Sequence, residues 1–272
     1  MERYEERDQS VIREAALENG PVPQPLEMRR VLERLDRLME KRDYAAAEKH
    51  LRYWLEEARA IRDPRGELAI LGETVGFYRK TGKGPEALAA VEETLALLEA
   101  GNWGDSMMAG TALVNCGTAC NAFGENERAL QLFGRARRIY EKLPGVPASL
   151  LGGLYNNMGL ACAAIGQTRE ALELYEAALG QMEKVPGGAA ERAITCLNMA
   201  DAVEIQEGPV AGEQRIGELL DRALELLEDP EIPRDGDYAY ICGRCAPVFA
   251  HYGYFLDAQK LERRAEAFYA GT

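Results

Sequence analysis

The chain has 272 residues, enough for one large domain or two small ones, and its 32 Lys and Arg against 45 Asp and Glu give a formal net charge of −13. That balance argues against a general binder of phosphate backbones, which needs a cationic face. Hydrophobic residues make up 47% of the chain, so a folded protein is expected, and no apolar run reaches the roughly 18 residues of a membrane span.

In chain order, residues 1–20 read as a short amphipathic helix that stops at Asn19 and Gly20. The stretch from Pro21 to Pro25 holds three prolines and predicts a stiff, extended linker. The residues from Met1 to Arg7 are charged and lack the apolar stretch of a signal peptide, so a cytoplasmic location is expected. Residues 1–25 are therefore set apart as an arm, read either as a capping or frayed helix or as a segment that docks on its own groove or on a neighbouring subunit, and residues 26–272 as the folded body.

The body repeats. The segment from Asn115 to Ala136 aligns without a gap on the segment from Asn157 to Ala178, an offset of 42 residues. Gly117 meets Gly159, Cys120 meets Cys162, Gly124 meets Gly166, Ala129 meets Ala171, and Phe133 meets Tyr175. Going back, Ala87 and then Ala47 hold the position of Ala129; going forward, Asn198 to Val203 repeats the start of a first helix, and Gly253 to Ala258 repeats a turn. Six units result, each a helical hairpin. Within second helices the apolar residues recur at helical spacing, as in Leu130, Phe133, Ala136 and Tyr140. Pro144, Pro147 and Pro186 fall between units, where helices must stop. Pro247 falls inside the first helix of the sixth unit and is expected to kink or shorten it; Gly208 and Pro209 lengthen the turn of the fifth.

This pattern resembles the tetratricopeptide repeat family over roughly Glu27 to Ala270, most sharply in the third and fourth units, with units about eight residues longer than the family's usual one. The resemblance implies an all-α, right-handed superhelix of about six hairpins, in which no hairpin buries its face alone and stability comes from stacked neighbours. It also implies that first helices line a concave groove.

The recurrent polar positions are the informative ones. Asn115, Asn157 and Asn198 occupy one register position in three successive first helices, and Asn156 precedes the middle one. Asn in a helix interior costs roughly 0.7 kcal/mol against Ala, so three in register need a reason. A carboxamide both donates and accepts, and so pairs with a peptide backbone whatever its side chains. By the resemblance, these amides look into the groove as in peptide-binding relatives such as kinesin light chains and bacterial peptide-pheromone receptors. Asn121, Thr118, Arg79 and Asp201 are added as secondary groove residues. The other explanation of the amides is that they tie adjacent helices together.

Other chemistry is weak. Cys242 and Cys245 form a C-x-x-C without a second pair of ligands, and register places both toward the core, so reduced structural thiols are expected. The chain has two histidines, far apart, and no phosphate-cradling loop after a strand. The family's clamp for a C-terminal carboxylate needs cations beside the amides, and Arg79, Lys80 and Arg244 are the only ones near. Charge runs down the chain, with −1 over residues 1–66, −4 over 67–185 and −8 over 186–272. The expectation is a non-enzymatic scaffold without metal or cofactor that binds a protein or peptide, not nucleic acid or membrane. The alternative is a self-assembling protein whose groove is filled by its own or a neighbour's arm.

Overall fold

The computed structural model of the chain describes residues 25–101 and 103–270, apart from the side chain of Tyr269. The expected N-terminal helix and the linker up to Gln24 lie outside the described residues. Within them are twelve α-helices and no strand: α1 (Met28–Glu40), α2 (Tyr44–Ala60), α3 (Pro64–Lys80), α4 (Gly84–Ala100), α5 (Met107–Ala122), α6 (Asn126–Lys142), α7 (Ala148–Ala164), α8 (Thr168–Met182), α9 (Ala189–Glu207), α10 (Glu213–Leu227), α11 (Gly236–His251) and α12 (Phe255–Ala270). They pair as six antiparallel hairpins, α1 with α2 through α11 with α12.

Local chemistry starts and stops these helices. Asp43, Asp63, Ser106 and Asp235 each accept a backbone N–H of the helix they precede, satisfying donors that have no partner within the helix. Asp63 also accepts from the N–H of Leu26 at 3.0 Å and so ties the start of α1 to the start of α3. Three-residue turns close the second, third, fourth and sixth hairpins, and in each a glycine takes the left-handed conformation: Gly82, Gly124, Gly166 and Gly253, with φ of 72°, 84°, 80° and 85°. In the first hairpin Arg42 takes that place at φ 53°.

Close packing within hairpins rests on small residues. A Cβ on Gly117 would lie 2.5 Å from the Phe133 ring, and one on Gly159 would lie 2.5 Å from the Tyr175 ring. Both rings are buried. The same glycine–aromatic contact thus recurs one repeat apart. Tyr78 and Leu130 each pack against two neighbouring core clusters, so the apolar interior runs on from hairpin to hairpin.

Curvature follows from which helices touch. First helices contact first helices along the stack (α3 with α5, α5 with α7, α7 with α9, α9 with α11), and second helices do not approach one another as closely. First helices therefore form the inner face. On the outer face exposed ion pairs bridge second helices, with Arg59 2.5 Å from Glu93 and Arg128 2.5 Å from Glu92; each contributes little in water. The winding brings the ends together: a cavity of about 610 Å³ is lined by Asp36 and Tyr44 of the first hairpin, Glu73 and Lys80 of the second, and Asp237 and Tyr240 of the last.

Two irregularities of the sequence have different outcomes. The fifth turn is longer, spanning the residues between Glu207 and Glu213, with Gly208 at φ 82°. The expectation that Pro247 shortens its helix is not met, because α11 runs through it to His251. Pro247 and Gly243, whose carbonyl loses its helical partner, both lie on the exposed side, where water can take that bond. All six cysteines are free and buried, and burial pushes the Cys116 and Cys245 thiols up to about 12. No helix is long and apolar enough to cross a membrane among the described residues.

Candidate functional site

Along the inner face, the register position of the asparagines reads Glu73 in α3, Asn115 in α5, Asn157 in α7, Asn198 in α9 and Arg244 in α11. Each lies two residues before a small or buried residue that packs on the second helix: Val75, Gly117, Gly159, Ala200 and Ala246. Two helical steps turn the chain by about 200°, which carries the side chain away from that contact and onto the opposite face.

The central amides are half-buried and bonded across units. Asn157 Nδ2 donates to Thr118 Oγ1 at 3.1 Å, joining α7 to α5, and Thr118 in turn donates to the Val114 carbonyl at 2.8 Å. Asn156 Oδ1 accepts from Asn198 Nδ2 at 3.0 Å and from Thr195 Oγ1 at 3.2 Å, joining α7 to α9. Each of the three asparagines uses one half of its amide in this way. Asn156 Nδ2, Asn157 Oδ1 and Asn198 Oδ1 have no partner among the described residues.

The remaining sequence-derived candidates are scattered. Asn115 makes no side-chain hydrogen bond among the described residues and sits against α3, where a Cβ on Gly72 would lie 3.3 Å from its Nδ2. Asn121 is apart from the row, toward the core, and its Oδ1 is buried without a partner. Arg79 lies half-buried in the last turn of α3, with no ion pair and no hydrogen bond to the amides among the described residues.

Asp201 belongs to a second polar group between α9 and α11. The Tyr252 hydroxyl lies 3.0 Å from Asp201 Oδ1 and 3.1 Å from Glu204 Oε2, and His251 Nε2 lies 3.3 Å from the same Glu204 oxygen. One phenolic proton faces two carboxylates. Burial raises the Asp201 carboxyl above its usual range, with Glu204 adding and Tyr252 and His251 opposing. Burial and the two carboxylates raise Tyr252 as well. At the other end of the row, Glu73 opens onto the cavity between the first two hairpins and the last, and its carboxyl is also raised, by the surrounding protein and then by Asp36.

Thr195 and Tyr252 escape a reading of the sequence. Thr195 lies three residues before Asn198, one helical turn away, and that spacing is a usable signal. Tyr252 is separated from Asp201 by 51 residues and only the stacking of hairpins joins them. Among the described residues, no group of three or more His, Cys, Asp or Glu is arranged to hold a metal ion.

Residues 66–142, from within α3 to the end of α6, match the family profile of the tetratricopeptide repeat. No curated protein matches the chain in sequence. Solved structures do match in fold. The crystal structure of BtubC (BKLC) from P. vanneervenii is 20% identical, covers 73% of this chain and 79% of its own, and superposes with a TM-score of 0.63. A putative kinesin light chain of Podosopora anserina, with nearly identical TPR-like repeats, is 20% identical over 76% of this chain and 97% of its own, with a TM-score of 0.51. NprR in complex with its cognate peptide NprX is 15% identical over 96% of this chain and 74% of its own, with a TM-score of 0.57. At such identities the likeness is one of fold. Residues 66–142 are thus a tetratricopeptide-repeat segment, and the hairpins on either side of it continue the same all-α solenoid.

Proposed function

We propose that the chain is a non-enzymatic scaffold that holds an extended peptide, or an extended segment of a partner protein, against its inner face. One observation carries this reading: Asn156, Asn157 and Asn198 are held in place by bonds across units, yet each keeps half of its amide unpaired. The spare groups are one donor and two acceptors, the complement of a peptide backbone. Asn115 adds a whole amide. Glu73 and Arg244 put a carboxylate and a guanidinium at the ends of the row, and Asp201 and Glu204 make its later part acidic. The fold shared with NprR, whose structure is of a peptide complex, supports the same class of ligand.

The test is selection from a random peptide library on the intact chain, followed by measurement of affinity. If each amide contributes about 0.5–1.5 kcal/mol, the triple substitution Asn115→Ala, Asn157→Ala, Asn198→Ala weakens binding by roughly one to three orders of magnitude. A folded triple variant with unchanged affinity overturns the assignment. The reading includes a cytoplasmic location, a separate arm at residues 1–25, and no part for cofactor, membrane or nucleic acid, the last supported by the net charge of −13.

A second reading is self-association. Ile205, Val210, Phe255 and Leu256, at the turn ends of the last two hairpins, are 65%, 85%, 65% and 73% exposed. Apolar side chains gathered at one edge favour a contact between copies. Light scattering of the full chain and of a chain lacking residues 1–24 separates a dimer made by this edge from one made by the arm.

A further inference from the structure

We infer a second binding site, away from the inner-face amides, that takes a phosphate monoester carried on a flat or apolar group. It lies where α4 passes through its loop into α5, against the end of α6. A cavity of about 320 Å³ there is lined by Trp103, Asp105, Arg135, Arg138 and Lys142. That volume is at the lower end of small-molecule sites.

The charge is the first argument. Arg135, Arg138 and Lys142 fall on one face of α6, at helical spacing. Lys142 pairs with Asp105 at 2.9 Å. Arg135 and Arg138 pair with no acid among the described residues, and Arg135 is half-buried. In a chain of net charge −13 this corner carries three cations against one anion. Elsewhere on the outer face Arg59 and Arg128 each find a glutamate. Two free guanidinium forks converging on one cavity match the oxygens of a phosphate dianion, which would neutralise the local excess.

The built wall is the second argument. The Trp103 indole Nε1 donates to the Leu97 carbonyl at 2.9 Å, which holds the ring against the end of α4. Gly101 makes this possible, since a Cβ there would lie 2.3 Å from the same nitrogen. The indole thus stands in a set orientation beside the guanidiniums, a stacking surface next to an anion site. Ala109 and Leu113, one turn apart on α5, and Ile139 of α6 line the apolar part of the same space.

Trp103 makes the site observable. The chain has two tryptophans, Trp54 and Trp103, so Trp54→Phe leaves Trp103 as the single reporter. Its emission is followed on titration with adenosine 5′-monophosphate, with inorganic phosphate, and with adenosine. Calorimetric titration of the unsubstituted chain with the same three probes guards against an effect of the Trp54 change. The expected result is saturable binding of the monophosphate, weaker binding of phosphate alone, and none of adenosine at the same concentrations; phosphate binding as tightly as the monophosphate overturns the part given to Trp103. Arg135→Gln with Arg138→Gln, on the helix surface, should weaken binding at least ten-fold per guanidinium lost and leave the fold and any peptide affinity unchanged. Adenosine binding as tightly as its monophosphate, no saturation by either phosphate-bearing probe, or unchanged affinity in the double variant each overturns the proposal.

Discussion

Asn156 Oδ1 accepts a hydrogen bond from Asn198 Nδ2 at 3.0 Å, across a separation of 42 residues that equals the repeat offset. One repeat therefore grips the next through the same side-chain type, with Thr195 Oγ1 on the same acceptor at 3.2 Å. Removing that acceptor orphans the Asn198 amide, whereas the Thr195 hydroxyl still donates to the Glu191 carbonyl at 2.9 Å. Asn156→Ala is expected to cost about 1–2 kcal/mol, and Asn198→Ala about 0.5–1 kcal/mol because Thr195 still serves Asn156. Asn156→Asp keeps the acceptor and should fall between Ala and the parent. Urea unfolding midpoints of the full chain, compared at one pH, give the order; equal midpoints for all three variants would show that the link carries no stability.

The paired glycine–aromatic contacts make a sharper test. Gly117→Ala and Gly159→Ala each push a methyl into a buried ring 2.5 Å away, and should destabilise by about 1–3 kcal/mol. Adding Phe133→Leu to the first, or Tyr175→Leu to the second, frees space and recovers part of the loss. Gly217→Ala, in α10 with nothing within 4 Å of the added carbon, should instead stabilise by about 0.5–1 kcal/mol through the better helix propensity of Ala. Thermal melts of the three single variants must separate in sign.

Arg62 joins the first hairpin to the second with φ at 57°, in the left-handed region, and its side chain is exposed. A branched-free but Cβ-bearing residue there is strained by about 1 kcal/mol or more. Arg62→Asn, which tolerates this region, should raise the melting temperature, and Arg62→Gly should do so by less because glycine loses more entropy on folding. A lower melting temperature for both would contradict the strain.

The Asp201 carboxyl titrates above its unfolded value because burial disfavours its charge. The folded state then binds this proton more tightly than the unfolded chain does. The group adds stability that is full below the ordinary carboxylate range and is lost as pH rises through its folded pKa. Asp201→Asn keeps an oxygen for the Tyr252 hydroxyl and removes the charge beside Glu204. Its melting temperature should exceed the parent's by roughly 2 °C at neutral pH, and the gain should vanish near about pH 3, where the parent carboxyl is protonated. A gain that is constant with pH would point to packing instead.

Much of this protein was determined along the chain. The left-handed glycines at Gly82, Gly124, Gly166 and Gly253, and the small residues at Gly117 and Gly159 are local demands of backbone and packing geometry, so residue type and spacing reveal them. The same spacing marks Asn115, Asn157 and Asn198 as one row. Which amide edges are occupied is not a local property. It depends on how far each hairpin rotates on the last, which sets Asn198 on Asn156 and not on Asn157, and leaves Asn115 against Gly72. The Tyr252 hydroxyl between Asp201 and Glu204, the cavity that joins the first two hairpins to the last, and the meeting of Trp103 with Arg135 and Arg138 have the same origin. Small rotations between units add up over six hairpins, and the stacked structure alone decides which distant side chains they bring together.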